Sequence, residues 1–191
     1  GTPLAEVEAI LAEQNQMLAF EPPHFGPGAT VGGMVASGLS GPGRVAVGAT
    51  RDFVLGVVLM DGKGEALHFG GQVMKNVAGY DVSRMLAGSL GTLGLLLEVS
   101  LKVLPKPYAQ TSLRLEMDEK DAIRRLNEWG GQPLPISASA WCDGALMVRL
   151  SGAKAALAAA QQIIGGEEVD GDDFWIAMRE QSNEFFTQAD V

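Results

Sequence analysis

The chain reads Pro27-Gly28-Ala29-Thr30-Val31-Gly32-Gly33 near its start, Lys75-Asn76-Val77-Ala78-Gly79-Tyr80-Asp81 further on, and Gly88-Ser89-Leu90-Gly91-Thr92-Leu93-Gly94 soon after. Most of its 25 glycines lie between residues 26 and 94. Glycine lets main-chain N–H groups approach phosphate and ring oxygens in conformations that a Cβ atom forbids. The three segments therefore predict loops whose backbone approaches a ligand closely.

Composition narrows the class of protein. The 191 residues are 47% hydrophobic and 19% charged, which is typical of a globular chain. A net charge of −9 argues against nucleic-acid binding. The one cysteine, Cys142, makes no internal disulfide and cannot hold an iron–sulfur cluster; we expect a buried thiol in a reducing compartment. No apolar run is long enough to span a bilayer and no signal-peptide pattern is present, so we expect a cytoplasmic protein.

Local patterns predict the elements of the first half of the chain. A helix should run from a Thr2 cap, with Pro3 at its first position, to about residue 18. The extended segment Phe20-Glu21-Pro22-Pro23 should follow it. Further predictions are a strand at 53–60 with a hairpin partner at 65–69, a short helix at 82–87 capped by Asp81, and a strand whose buried face carries Leu97, Val99, Leu101 and Val103.

After a linker at 104–107 the pattern changes. It predicts a strand at 113–117, a helix from Asp118 with Ile123 and Leu126 inward, a hairpin turning at Asp143-Gly144, and a helix from Ser151 to Gly165. This order is most of a ferredoxin-like unit without its final strand. A helical pattern at 172–188 follows. Because the chain starts abruptly and ends without closing a unit, we expect truncation at both ends.

The glycine segments, in their order along the chain, resemble the second half of the FAD domain in the vanillyl-alcohol oxidase superfamily. The resemblance covers roughly residues 20–107 and includes Thr50-Arg51-Asp52-Phe53-Val54-Leu55-Gly56 and Leu104-Pro105-Lys106-Pro107. It implies an α+β fold: the second half of a PCMH-type FAD-binding domain over residues 1–107, then an incomplete ferredoxin-like cap domain over 108–191. The glycine-rich pyrophosphate loop that precedes these motifs in the superfamily has no counterpart here.

Within that superfamily, three stretches are similar to the FAD-binding subunits of bacterial glycolate oxidases: 20–28, 69–84 and 133–137. The similarity implies a flavin-linked oxidation of glycolate or another 2-hydroxy acid to the 2-oxo acid. It implies a larger flavin subunit and an iron–sulfur subunit as partners, through which any membrane association would be made. We expect the fragment alone to be inactive.

Two alternatives stay open. In the first, this subunit is an assembly and electron-relay module whose partner oxidises the substrate. In the second, it is part of a stand-alone FAD-dependent D-lactate or D-2-hydroxyglutarate type dehydrogenase.

The resemblance also implies which residues meet FAD. The loop from Gly28 to Gly33 should meet the flavin side and the pyrophosphate, and the segment from Gly88 to Leu96 should run beside the pyrophosphate and adenine. Thr30 and Ser37 are candidate hydroxyl donors, although each also suits a turn. Relatives usually have glutamate where Leu90 stands. The candidate cofactor-binding residues are Pro27, Gly28, Ala29, Thr30, Gly32, Gly33, Ser37, Gly38, Gly88, Gly91, Thr92, Gly94 and Leu96.

Other residues with chemical potential have simpler interpretations. Lys75 is either a phosphate partner or a solvated lysine, and Tyr80 either packs beside the cofactor or belongs to the core. Neither His24 nor His68 has a second ligand at metal spacing, so we expect no metal site. The acidic cluster 170–173 predicts a solvated turn. No catalytic base can be named from the sequence.

Overall fold

The computed structural model describes residues 1–71 and 80–187. It divides into two compact units, Gly1–Lys106 and Pro107–Val191. The segment Lys75-Asn76-Val77-Ala78-Gly79, and with it the prediction for Lys75, lies outside the described residues. Both units mix helices and antiparallel sheet, which confirms the α+β class.

The first unit is built on a small antiparallel sheet. Its helices are α1 (Leu4–Glu13), α2 (Val31–Ser37), α3 (Arg44–Val47) and α4 (Val82–Met85), with a 3₁₀ turn at Thr50–Asp52. Its strands are β1 (Gln16–Met17), β2 (Val54–Met60), β3 (Ala66–Gly70), β4 (Leu95–Leu101) and β5 (Leu104–Pro105). Three of them form a sheet in the order β3-β2-β4, and β1 pairs with β5.

The core of this unit lies between one sheet face and the helices. Phe20 and Phe53 are fully buried, with ring centroids 4.9 Å apart. Leu4 of α1, Val35 of α2 and Leu86, which follows α4, join the same cluster. These helices are short, so burial of their apolar faces supplies most of their stability.

The start of the chain differs from the prediction. Pro3 occupies the cap position of α1 with no side-chain hydrogen bond, and the Thr2 carbonyl accepts a hydrogen bond from the Val31 amide. The helix ends at Glu13 because residues 16–17 pair with 104–105, so the predicted linker is partly strand. The segment 20–23 is not uniformly extended, since Glu21 has a φ of 51°.

Val99, Leu101 and Val103 pack against the core as predicted, but a bulge in β4 shifts the phase of the residues before them. Val58 pairs with Glu98, but Leu59 pairs with Leu96, so residue 97 is an extra residue in the ladder. Such a β-bulge reverses which side chains face the core. Leu97 is 48% exposed, whereas Leu96 packs against the core, and the inward position predicted for Leu97 is wrong.

The second unit is a four-stranded antiparallel sheet with helices. Its elements are β6 (Ala109–Glu116), α5 (Glu119–Gly130), β7 (Ile136–Cys142), β8 (Ala145–Gly152), α6 (Lys154–Ile164), β9 (Glu167–Val169), α7 (Asp172–Arg179) and α8 (Glu184–Thr187). The strand order β7-β8-β6-β9 is that of a ferredoxin-like unit. The final strand, which the sequence analysis judged missing, is therefore present as β9, paired to β6. It escaped detection because it has only 3 residues.

Three helix predictions in this unit need correction. In α5 the buried side chains are Ala122 and Trp129, whereas Ile123 is 61% exposed. Helix α6 begins at Lys154 rather than Ser151, because residues 151–152 still belong to β8. The predicted helix 172–188 is broken between α7 and α8, and residue 188 lies outside the described residues.

Trp175 of α7 packs on the sheet of the second unit beside an arginine. Its indole N–H donates to Ser112 Oγ at 2.9 Å, and the Arg149 guanidinium lies 5.2 Å from its ring centroid. No helix within residues 1–71 and 80–187 is both long and apolar enough to cross a membrane.

Candidate functional site

Helix α2 joins the two glycine loops of the predicted cofactor site. At its start Thr30 Oγ1 accepts a hydrogen bond from the Gly33 amide at 3.1 Å. Towards its end the carbonyls of Val35 and Ala36 accept from the amides of Gly88 and Leu90, at 3.1 and 2.8 Å. The segments 27–33 and 88–94, far apart in sequence, therefore lie at the two ends of one helix.

The first loop is anchored to the beginning of the chain. The Ala29 carbonyl accepts from the Leu4 amide at 2.8 Å, and Thr30 forms a β-bridge with Pro3. Pro27 and Gly28 precede this anchor and are exposed. These contacts hold the end of the loop against the first residues of the chain.

Gly38 is glycine because the two motifs meet there. A Cβ atom at this residue would lie 2.7 Å from the amide nitrogen of Gly88, and φ is 66°. A side chain at residue 38 would therefore prevent the second loop from approaching the end of α2. Gly88, Gly91 and Gly94 likewise have positive φ angles, of 85°, 74° and 148°.

Gly28 and Gly32 have no such internal reason to be glycine. Neither is among the residues with positive φ, and among the described residues no protein atom outside the local backbone lies within 4 Å of the position of a Cβ atom. Gly32 even lies within α2, where glycine costs up to about 1 kcal/mol relative to alanine. Bare backbone at these two positions suits the close approach of a ligand, so the residues present fit a cofactor here.

The hydroxyl groups of the site differ in what they still offer. Thr30 Oγ1 accepts from the Gly33 amide, which leaves its proton available to a ligand. Ser37 donates to the Met34 carbonyl at 3.0 Å and Thr92 donates to the Ser89 carbonyl at 2.7 Å. Thr30 is thus the better placed of the two hydroxyl donors that the sequence suggested.

The loops also expose apolar side chains. Phe25 is 57% exposed, Leu90 74%, Leu93 46% and Leu95 63%. Clustered exposed apolar groups mark binding surfaces. The side chain of Leu96, by contrast, packs on the core, and its backbone pairs with Leu59. A ligand could therefore reach β4 only along the edge that is not paired with β2.

Several other predictions are decided by the structure. Asp81 caps α4, accepting from the Arg84 amide at 3.4 Å. Tyr80 is 95% exposed, so its assignment to the core is wrong. No group of three metal-ligating side chains occurs in the described part of the chain.

Two side-chain pairs were missed or misread. His24 Nε2 lies 2.9 Å from Glu8 Oε2, a pairing that sequence distance concealed. Cys142 is half-buried rather than buried. Its thiol donates to Asp143 Oδ2 at 3.2 Å, and this hydrogen bond, with desolvation and the negative charge of Asp143, raises the pKa of Cys142 above its usual value.

The chain is similar to a protein family and to known proteins. Residues 1–70 match the family model described as FAD binding domain. The chain is 53% identical over 187 residues to the glycolate oxidase subunit GlcE of Escherichia coli K12, an alignment that covers 98% of this chain and 53% of that relative. The chain thus spans about half the length of that protein.

More distant relatives match about half of the chain. Glycolate oxidase subunit GlcD of Bacillus subtilis is 37% identical over 93 residues, which are 49% of this chain and 20% of the relative. D-lactate dehydrogenase of Anaerostipes hadrus is 38% identical over 100 residues, 52% of this chain and 21% of the relative.

A solved structure of alkyldihydroxyacetonephosphate synthase superposes with a TM-score of 0.69 at 17% identity, covering 93% of this chain and 42% of that one. This likeness concerns the fold alone, and it confirms the predicted PCMH-type architecture.

Proposed function

We propose that the protein is an FAD-binding subunit of a glycolate oxidase complex, because residues 1–70 match the FAD binding domain family model and 187 residues are 53% identical to a glycolate oxidase subunit. The observation that carries this proposal is the 53% identity to a glycolate oxidase subunit over 98% of the chain, and the open backbone at Gly28 and Gly32 is compatible with FAD loops. FAD, the cofactor predicted from the motifs, agrees with the family model.

We assign FAD contacts to the two loops joined by α2. In this proposal the backbone at Gly28 and Gly32 admits the cofactor, Thr30 offers its hydroxyl proton, and the segment 88–94 contributes main-chain groups. The exposed Phe25, Leu90 and Leu93 supply apolar surface, of the kind that lines most cofactor sites. Residues 1–107 are then the C-terminal part of an FAD-binding domain, and 108–191 are part of a cap domain.

The reaction assigned to the whole protein is oxidation of glycolate, or a similar 2-hydroxy acid, to the 2-oxo acid. FAD, held by the two glycine loops, would supply the acceptor for the two electrons and two protons that the substrate loses. The support is the 53% identity to a glycolate oxidase subunit and the similarity to D-lactate dehydrogenase. No catalytic base is assigned to this chain.

We assign the protein to a complex with a larger flavin subunit and an iron–sulfur subunit, in the cytoplasm. Two relatives named as different subunits of glycolate oxidase support a multisubunit assembly. The iron–sulfur subunit is part of the proposal because the resemblance to glycolate oxidase subunits implies it.

A second function remains in competition. The lack of an ionisable side chain within the described glycine segments 26–33 and 88–94 favours a subunit that holds FAD and relays electrons while its partner oxidises the substrate. The part of the loops that is described carries hydroxyl and apolar side chains, and its nearby histidine, His24, lies beside Glu8 at 2.9 Å. A stand-alone D-2-hydroxy-acid dehydrogenase is the third possibility, supported by the match to D-lactate dehydrogenase.

One experiment separates the first two functions. The full-length subunit is purified alone, its FAD content is read from the visible spectrum, and glycolate oxidation is followed with an artificial electron acceptor. FAD with turnover supports the proposed oxidase subunit. FAD without turnover, restored only by the larger flavin subunit, supports the relay subunit, and a subunit that takes up no FAD in either preparation contradicts both.

A further inference from the structure

A cavity of about 430 Å³ opens beside the end of α2. Gly38 and Ala87 form one wall, at the junction where the two glycine loops meet, and Ala49 and Asp52 form another. Arg44 of α3 and Arg51 of the 3₁₀ turn complete it. None of the predicted FAD contacts other than Gly38 lines this cavity.

The guanidinium groups of Arg44 and Arg51 lack partners in the described part of the chain. Both are exposed, and within residues 1–71 and 80–187 neither forms an ion pair or hydrogen bond through its guanidinium. The chain has only 14 basic residues against 23 acidic ones. Two unpaired cations therefore line one cavity in a chain of net charge −9.

The carboxylate in the cavity wall does not neutralise them. Asp52 Oδ2 accepts a hydrogen bond from the Ala49 amide at 2.9 Å, and Oδ1 lies 3.8 Å from the Arg84 guanidinium. Arg84 in turn pairs with Asp81 at 3.0 Å. The charge of Asp52 is thus engaged by its own turn and by Arg84, and the cavity is lined by two arginines and this one aspartate.

We propose that Arg44 and Arg51 form a binding site for an oxyanion, a carboxylate or a phosphate group. A guanidinium presents a planar set of N–H donors that matches the paired oxygens of either group. The site rests on the proposed function only for the source of the anion, which is either the diphosphate of FAD or the carboxylate of the 2-hydroxy acid.

The test is calorimetric titration of the full-length subunit, stripped of FAD, with inorganic phosphate and separately with glycolate. Arg44→Gln/Arg51→Gln should bind at least one of the two probes tenfold or more weakly than the wild type, since each lost contact is a charge-assisted hydrogen bond. Arg125→Gln is the matched control, because it removes an exposed arginine of α5 in the other unit and should leave binding unchanged.

The source of the anion is read from FAD itself. If the diphosphate occupies the site, the double variant also loses FAD affinity and saturation with FAD abolishes phosphate binding. If a substrate carboxylate occupies it, FAD affinity is unchanged, the FAD-loaded subunit still binds glycolate, and the KM for glycolate rises in the double variant. Wild-type protein that binds neither probe, or a folded double variant that binds both as the wild type does, overturns the site. A subunit that binds phosphate but never FAD contradicts the proposed function and not the site.

Discussion

At the scale of single residues, the structure sorts the glycines into those the fold needs and those it does not. Glycine is required at residue 38 because a Cβ atom there would clash with the backbone of Gly88. It is required at residue 94 because a Cβ atom there would clash with the Met60 carbonyl oxygen. Gly28 and Gly32 lack any comparable contact. The sequence motif treats all of them alike, because the contacts that separate them join segments distant in the chain.

Local chemistry was predictable where both partners lie within one turn. Asp118 caps α5 by accepting from the Asp121 amide at 2.8 Å, as its position before a helical pattern indicates. The pairing of His24 with Glu8, and the engagement of Asp52 by Arg84, depend on tertiary approach. No local pattern contains that information.

Cys142 gives a residue-scale prediction that depends on its neighbour. Asp143→Asn removes the carboxylate that accepts from the thiol, so the pKa of Cys142 should fall towards its ordinary value. A lower pKa increases the thiolate fraction at pH 8, and the thiolate is the reactive form. Alkylation of Cys142, followed by mass spectrometry of its peptide against pH, should therefore be faster in the variant.

The control is Asp173→Asn, a substitution of an exposed aspartate in α7 that forms no hydrogen bond to the thiol. It should leave the alkylation rate at Cys142 unchanged. Equal alkylation rates in Asp143→Asn and wild type would show that Asp143 does not raise the pKa of Cys142.

At the scale of elements, turns and hairpins were predicted well and phases less well. The Asp143-Gly144 turn has two positive φ angles, 51° and 75°, which is the geometry such a dipeptide favours between strands. The β2–β3 hairpin also forms as its turn residues predict. Ile123 of α5 and Leu97 of β4 were misassigned, because neither a bulge nor a neighbouring sheet is visible in a periodic pattern. The other residues predicted to face inward pack on the cores: Leu126, Val99, Leu101 and Val103.

The bulge in β4 makes a prediction opposite to that of the alternating sequence. Leu96→Ala should destabilise the fold by about 1–2 kcal/mol, since its side chain is partly buried against the core. Leu97→Ala should change stability by less than about 0.5 kcal/mol, since Leu97 is largely exposed. Urea unfolding of both variants measures the difference, and a larger loss in Leu97→Ala would place the bulge wrongly.

At the scale of the whole molecule, each unit is closed by pairing between residues far apart in the chain. In the first unit, β1 near the start pairs with β5 near the end. In the second, β9 pairs with β6 and completes a sheet that the sequence analysis left open. Fold class was predictable because it depends on the order of elements, whereas closure depends on strands of two or three residues with little periodic signal.

The function proposed for the molecule depends on Gly32, a helical glycine that no contact within the described protein requires. Gly32 lies within α2 and Gly130 within α5, and in both cases a Cβ atom would meet no described protein atom beyond the local helix. Gly32 is the second residue of its helix and Gly130 the last of its own; both have open space for a Cβ atom, and only Gly32 belongs to the predicted FAD loops.

The most direct measurement is the FAD dissociation constant of the full-length subunit with Gly32→Val or Gly130→Val, followed by flavin fluorescence. Gly32→Val should weaken FAD binding tenfold or more, because a branched side chain at a bare backbone position blocks close approach. Gly130→Val should bind FAD as the wild type does, and both variants should remain folded. Undiminished FAD affinity in a folded Gly32→Val protein would contradict the account, because the backbone of this loop would then have no part in holding the cofactor.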